Sequence, residues 1–352
     1  MWRKVVALAS ILTTFVLAER HPAGAEPLAR RFQNAAQAHK AASQVRKRTP
    51  QKRAPAKKPE PPPLACGDYI GFQVLLDRQG FSPGAIDGKP GDNFSHALAA
   101  LQAARGLPVT GQPDCDTWHS LGGDHGDPTI ATHTISEDDV KGPFEKDIPH
   151  DIRQQATLPA LAYRSVVEEL GERFHASPAL LREMNQGIPF EAGRQIRVPA
   201  VQPFDPDAKP MPASAGDDVS IQVTRNDSAV RALKPDGTVI FFAPVTTGSE
   251  HDPLPTGDFK VTGVDWHPKF HYNPELFWDA KPGDTKTTIK PGPNNPVGVV
   301  WIALTLEHYG LHGTPEPEYI GHTQSHGCVR MTNWDAARVA ALVKPGTPVL
   351  FR

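Results

Sequence analysis

The chain has 352 residues, room for two or three domains, and its formal net charge of −2 hides an uneven distribution. Beyond the amino-terminal run no segment is long and apolar enough to span a bilayer as a helix. Met1-Trp2-Arg3-Lys4 followed by the apolar run Val5 to Ala18 has the charged and hydrophobic regions of a signal peptide. Ala23-Gly24-Ala25 offers a small-residue cleavage site, so residues 1–25 are expected to direct export and the mature chain to begin at Glu26. The competing reading, an uncleaved anchor, has only 14 residues to cross with. Residues 26–63 read as a linker: from 27 to 63 there are ten Lys or Arg against one acid, Glu60, ending in Pro61-Pro62-Pro63. Proline and like charge without apolar periodicity predict a disordered, semi-extended spacer. It suits plain solvation or contact with anionic wall polymer or phospholipid headgroups; an exported chain seldom meets nucleic acid.

Residues 64–122 read as a small helical unit. Ile70, Phe72, Val74, Leu75 and Leu76 carry helical periodicity over 69–80, and Ala97, Leu98 and Leu101 carry it over 95–105. Gly106-Leu107-Pro108-Val109-Thr110-Gly111 breaks the second helix, and Thr117-Trp118 opens a short third. These phrases, with Gly80-Phe81-Ser82-Pro83-Gly84-Ala85-Ile86-Asp87-Gly88, resemble the three-helix peptidoglycan-binding domain. Cys66 and Cys115 flank the unit, and in an exported chain they are expected to form a disulfide. Such a bridge leaves Cys328 as the odd, free thiol.

Residues 123–156 are polar, without period, and are expected to be a linker or a loop wrapping a neighbour. Ser165 to Phe174 and Ser177 to Met184 predict two short helices, the second with Ser177 as N-cap and Pro178 at its first position. Together with Ala192-Gly193-Arg194-Gln195-Ile196-Arg197-Val198-Pro199 they resemble a LysM glycan-binding module over 157–201. The opening strand and Gly-Asp-Thr-Leu turn of that family are replaced by Leu161-Ala162-Tyr163-Arg164, so a structural spacer is the other reading. Residues 202–217 are the last linker.

From Val219 the pattern changes to period two: Val219, Ile221 and Val223 alternate with polar residues, and Val239 to Val245 is apolar. Val297 to Leu304 reads as a strand, Asn226-Asp227 and Pro235-Asp236-Gly237 as hairpin turns. Asn333 is placed to cap a single helix, Trp334 to Val343, before a last strand, Val349 to Phe351. This predicts a mainly antiparallel β domain over 218–352.

Within it stands Ser325-His326-Gly327-Cys328-Val329-Arg330-Met331. A thiol attacks as thiolate, and the flanking imidazole and guanidinium are expected to lower its pKa. His312, in Tyr309-Gly310-Leu311-His312-Gly313-Thr314, supplies a second imidazole; a Cys/His pair apart in sequence points to acyl transfer through a thiol. Three plainer readings compete: a buried apolar cysteine, a zinc site built from His312, His322, His326 and Cys328, and a binding scaffold with no activity. The zinc spacings match no short-interval ligand pair, and no cofactor is expected.

His312-Gly313-Thr314, Ile320-Gly321 and the Ser325–Met331 run, with Pro293-Asn294-Asn295-Pro296-Val297-Gly298 upstream and Asn333-Trp334-Asp335-Ala336 downstream, resemble the L,D-transpeptidases, the YkuD-type peptidoglycan enzymes. The resemblance implies a multidomain exported protein of the periplasm or cell wall. Its fold would be a mainly-β sandwich preceded by the three-helix unit and a small α+β module. It implies Cys328 as nucleophile, His312 as general base oriented by the Gly313 carbonyl, and an oxyanion hole around Gly327 and Cys328. His326 would brace the loop. Arg330, Ser325, Tyr309 and Asn295 would meet the substrate, Arg330 gripping a carboxylate or holding the loop by an ion pair. The substrate implied is a peptidoglycan tetrapeptide stem on its glycan strand, losing D-alanine to form a 3→3 cross-link. Water or a wall protein's amine could equally accept the acyl group. The acceptor, the third stem residue and the oligomeric state stay open.

Overall fold

The computed structural model describes residues 62–208, 218–323 and 325–352. The expected signal peptide, residues 26–61 of the basic arm and 209–217 of the last linker lie outside them. All described residues fall within one unit of contacts, Glu60–Arg352.

Helix α1 (Tyr69–Arg78) starts where the Asp68 carboxylate accepts from the Gly71 amide at 2.7 Å. Helix α2 spans Asp92–Ala104, and α3 spans Cys115–Ser120. Helix α3 begins two residues before Thr117 because Asp114 accepts from the Thr117 amide. A disulfide joins Cys66 to Cys115, with Cα atoms 5.3 Å apart. Gln102, fully buried, accepts from the amides of Thr110 and Gly111 and donates to the Thr117 hydroxyl, tying α2, the turn and α3 together.

The segment expected to be a linker, 123–156, is structured. Strand β1 (Ile130–Thr134) pairs antiparallel with β2 (Gln195–Pro199), from Ile130↔Pro199 to Thr134↔Gln195. Between them lie α4 (Glu137–Lys141), α5 (Ile152–Gln155), α6 (Val166–Arg173) and α7 (Pro178–Met184). The strand partner of β2 therefore comes from upstream of 157–201. Ile135, Val167, Leu170, Leu181, Ile196 and Val198 share one core beneath it. Strand β1 escapes a period-two reading because it has one partner and is nowhere fully buried.

The carboxy-terminal part is built on β3 (Ser220–Thr224), β4 (Ala229–Leu233), β5 (Val239–Pro244), β6 (Thr246–Thr247) and the long β7 (Gly257–Trp266). It continues through β10 (Val300–Leu304), β11 (Gly310–His312), β12 (Val329–Arg330) and β13 (Pro348–Phe351). These nine strands form one sheet, ordered β5-β4-β3-β13-β7-β10-β11-β12-β6. Strand β7 serves both halves, pairing with β13 through Gly257–Lys260 and with β10 through Val261–Trp266. The halves expected of a sandwich are thus continuous through β7, and their core side chains, Ile221 and Val223 from one and Ile302 and Val329 from the other, meet in a single cluster. Strands β8 (Phe270–Tyr272) and β9 (Thr287–Ile289) form a separate hairpin. Helix α8 (Asn333–Leu342) buries Trp334, Ala336, Val339 and Ala340 in the core. Its N-cap is Thr332, which accepts from the Asp335 amide; Asn333 is the first helical residue.

The three parts share backbone hydrogen bonds. Residues 80–82 bond to Phe242 of β5, Ile86 exchanges bonds with His175 and Ser177, and Leu161 exchanges bonds with Pro291 and Asn294. Among the described residues no helix is long and apolar enough to cross a membrane.

Candidate active site

Parallel strands in register carry paired residues on the same face, and side chains two apart return to it. The parallel pair β11–β12 sets His312 opposite Arg330. Cys328, two residues before Arg330, therefore shares the face of His312 and lies diagonally from it. Their neighbour Trp301 on β10, paired with His312, stacks on the imidazole at 5.4 Å between centroids and 21°. All four side chains line a cleft of about 950 Å³. Two further walls are the β8–β9 hairpin, through Phe270 and Phe277, and the 307–309 loop; His150, Asp151 and Ile152 of the middle segment close a third side.

The Nδ1 atom of His312 is 2.7 Å from the Gly313 carbonyl oxygen. A carbonyl only accepts, so Nδ1 carries the hydrogen and, in the neutral ring, Nε2 keeps the lone pair. The ring is buried, and burial, helped by the Arg330 charge, pushes its pKa down to about 3 against the Gly313 bond. Cys328, half-buried, is a free cysteine. The expected fall in its pKa does not occur. Burial raises the thiol, and this outweighs the Gly310 amide and the Arg330 charge that favour the thiolate. Desolvation penalises the charged form of each group, and Cys328 Sγ donates to the His308 carbonyl at 3.7 Å.

Gly327 has φ +97°, and a Cβ there would lie 2.7 Å from the Tyr309 ring, so only glycine fits beneath Tyr309. Among the described residues neither the Gly327 nor the Cys328 amide donates to a backbone carbonyl. Tyr309 lines the cleft. Ser325, by contrast, is buried and donates to the Cys328 carbonyl at 2.7 Å, so it holds the loop. Asn295 is fully buried; it accepts from the Val297 amide and donates to Lys290, which spends its amide on the loop before β10. Neither is available to a ligand. His326 points at the β8–β9 side, with Nε2 2.8 Å from Asp279 and its ring edge-on to Phe277 at 5.0 Å. Arg330 lies near Glu316 and Asp279, but Asp279 is paired with His326. Among the described residues no three His, Cys, Asp or Glu side chains converge as metal ligands would.

Trp301, Asp279 and Glu172 were not singled out by sequence reasoning. Trp301 sits in an apolar run that reads as core; Asp279 reaches the cleft, and Glu172 reaches Asn333 behind it, from segments remote in sequence, and no local spacing marks them.

Residues 218–350 match the family model of the L,D-transpeptidase catalytic domain, YkuD, and residues 69–121 match a model described as "Putative peptidoglycan binding domain". The chain is 27% identical over 186 residues to "Putative L,D-transpeptidase YkuD" of Bacillus licheniformis, covering 52% of this chain and 91% of that protein. It is 46% identical over 57 residues to the protein of the same name from Bacillus subtilis, covering 16% of this chain and 35% of that one. Among solved structures, the L,D-transpeptidase from Mycobacterium smegmatis shares 18% identity, with a TM-score of 0.32 over 46% of this chain and 74% of that one.

Proposed function

We propose that the chain is a peptidoglycan L,D-transpeptidase that works through Cys328. The observation that carries the reading is the placement of a free thiol and an imidazole on one face of a cleft, with the imidazole's Nδ1–H committed to the Gly313 carbonyl. That commitment leaves Nε2 as the basic nitrogen, and the match of residues 218–350 supplies the reaction class.

The donor is a stem tetrapeptide. As the carbonyl of its L-centred third residue arrives, Cys328 Sγ attacks and its proton passes to His312 Nε2. The amides of Gly327 and Cys328 face the developing oxyanion. Collapse breaks the peptide bond, His312 returns the proton to the departing D-alanine amine, and a thioester remains. An acceptor amine then attacks the thioester, gives a proton to His312, and the expelled thiolate is reprotonated. Arg330, a cation on the same face of the cleft, is suited to the substrate's carboxylate. The peptidoglycan-binding match at 69–121 and the basic arm at 26–63 fit a wall substrate, and the leader pattern fits an exported protein.

The test is mass spectrometry of muropeptides from purified sacculi incubated with the protein. Cross-links joining two third residues, with release of D-alanine, are expected from the wild type. Cys328→Ser, with a circular dichroism spectrum like the wild type, should form none. Retained cross-linking in that variant would remove Cys328 as nucleophile. Trimmed tripeptides without cross-links would make water the acceptor.

A further inference from the structure

Gly313, whose carbonyl orients His312, packs at its Cα against the Asn333 side chain. The Asn333 side chain is wedged between two glycines: a Cβ on either Gly298 or Gly313 would lie 2.0 Å from Asn333 Oδ1. Oδ1 accepts from the Val299 amide at 3.2 Å, while Nδ2 donates to the Pro293 carbonyl at 3.1 Å. Nδ2 also donates to both carboxylate oxygens of Glu172, at 3.0 and 3.1 Å. Glu172 belongs to α6 of the middle segment, is buried, and accepts in addition from the Tyr163 hydroxyl at 3.0 Å. Burial pushes its pKa up to about 8, against the hydrogen bonds from Asn333 and Tyr163; a buried carboxyl group is costly unless hydrogen-bonded, so a structural helix would place an apolar residue here. Every donor around this one comes either from its own segment or from the residue packed against Gly313.

We propose that Glu172 is a positioning residue for His312, acting through Asn333 and the Gly298–Gly313 contact, so that the middle segment sets the geometry of the catalytic base. The inference rests on the reading of His312 as base. The carboxylate fixes which way the Asn333 amide faces, with Oδ1 towards Val299 and Nδ2 outwards. Without it Nδ2 keeps only the Pro293 carbonyl, the amide can turn, and the Gly313 backbone loses the packing that fixes where its carbonyl points. A glutamine retains one acceptor for Asn333 but turns a second donor towards Nδ2 or Tyr163, so it should restore function only in part.

The test uses the full chain and two readouts. One is kcat and KM for a tetrapeptide stem; the other is the pH dependence of Cys328 alkylation by iodoacetamide, which needs no cell-wall substrate and sees Cys328 alone while Cys66 and Cys115 are bridged. Glu172→Ala should lower kcat by about 10–100-fold, as a base displaced by a fraction of an ångström would, and KM should change by less than about twofold. Its alkylation should lose rate at neutral pH and climb with pH as an unassisted thiol's does, burial holding that thiol above its ordinary pKa. Glu172→Gln should fall between. Glu169→Gln on the same helix, whose carboxylate pairs with Arg173 and does not touch Asn333, should behave as wild type. If Glu172→Ala unfolds, Tyr163→Phe, which removes one hydrogen bond from the carboxylate, should still shift the alkylation profile in the same direction. A folded Glu172→Ala with wild-type kcat and alkylation overturns the proposal. So does lost activity that follows lost folding while the alkylation profile stays wild type. A shifted profile in a protein whose wild type makes no cross-links would sustain the positioning role and overturn the transpeptidase reading instead.

Discussion

A thiol and an imidazole each resist charging when buried, and Cys328 and His312 are both buried enough for that to shift them. Burial raises the first and lowers the second to about 3. His312 is therefore expected to stay neutral well below the pH at which an ordinary imidazole charges. Acylation of the wild type should show no loss between pH 7 and pH 5, where an ordinary imidazole of pKa about 6.5 would be protonated. A fall centred near 6.5, read as mass shift of the acyl-enzyme across pH, would mean that the ring titrates as in water. His312→Ala should lose the roughly 10²–10⁴-fold of general base catalysis. His326→Ala should lose less and keep the profile's shape, because His326 holds Asp279 and Phe277 and not the thiol. Exchanged behaviour would reverse the two histidines. At this scale the flanking residues singled out Cys328 and His312, and the fold places both on one cleft. Ser325 and Asn295 misled because their neighbours in sequence say nothing of which backbone atoms their amide or hydroxyl meets.

Elements differ in how much of themselves they print in the chain. Helices α1 and α6 show apolar spacing and an Asp or Ser cap, so both could be placed beforehand. Strands β11 and β12, which carry His312 and lead on from Cys328, have three and two residues, too few for any period to register. Strand β1 pairs across 60 residues of intervening chain and is polar on its open face, so 123–156 read as a linker. The Cys66–Cys115 bridge acts at this scale too. It fastens α3 to the start of α1 across a sequence separation of 49, worth about 4 kcal/mol in the chain-entropy account. Replacing both cysteines by alanine should lower stability in denaturant by about that amount and leave Cys328 reactivity at 25 °C unchanged. Thiol titration of the unreduced, denatured wild type should find one free thiol, at Cys328. Three would remove the bridge.

Across the whole molecule the parts meet at buried charge. Asp77 of α1 receives Arg338 of α8 at 2.9 and 3.0 Å and His175 at 3.1 Å, and His175 stacks on Trp334 at 5.1 Å. Burial alone would raise the Asp77 carboxyl; the His175 ring and Arg338 guanidinium hold it well below the ordinary range. A carboxyl whose pKa is depressed by folding stabilises the fold above its unfolded value, about 3.9, and that contribution is lost as pH falls below it. Asp77→Asn should cost about 2–3 kcal/mol at pH 7, less than a fully buried pair because Arg338 is partly exposed and keeps Asp335 at 3.7 Å. It should also flatten the acid limb of stability below pH 4. Chemical denaturation at pH 7 and pH 3 measures both, and an unchanged midpoint at pH 7 would mean that this junction does not hold the parts together.

What the chain determines unaided is what depends on neighbours in sequence: apolar periods, capping residues, turn glycines, and a motif whose reactive residues lie within a few positions of their supports. Those forces act over one turn of helix or one strand, and composition records them. The tertiary structure alone decides what depends on burial and on partners brought from afar. It sets the direction of the Cys328 and His312 shifts, because desolvation is a property of the filled cleft. It supplies the strand that completes the middle segment. And it brings Glu172 against Asn333 across 161 positions, a contact that appears only when the chain has closed on itself.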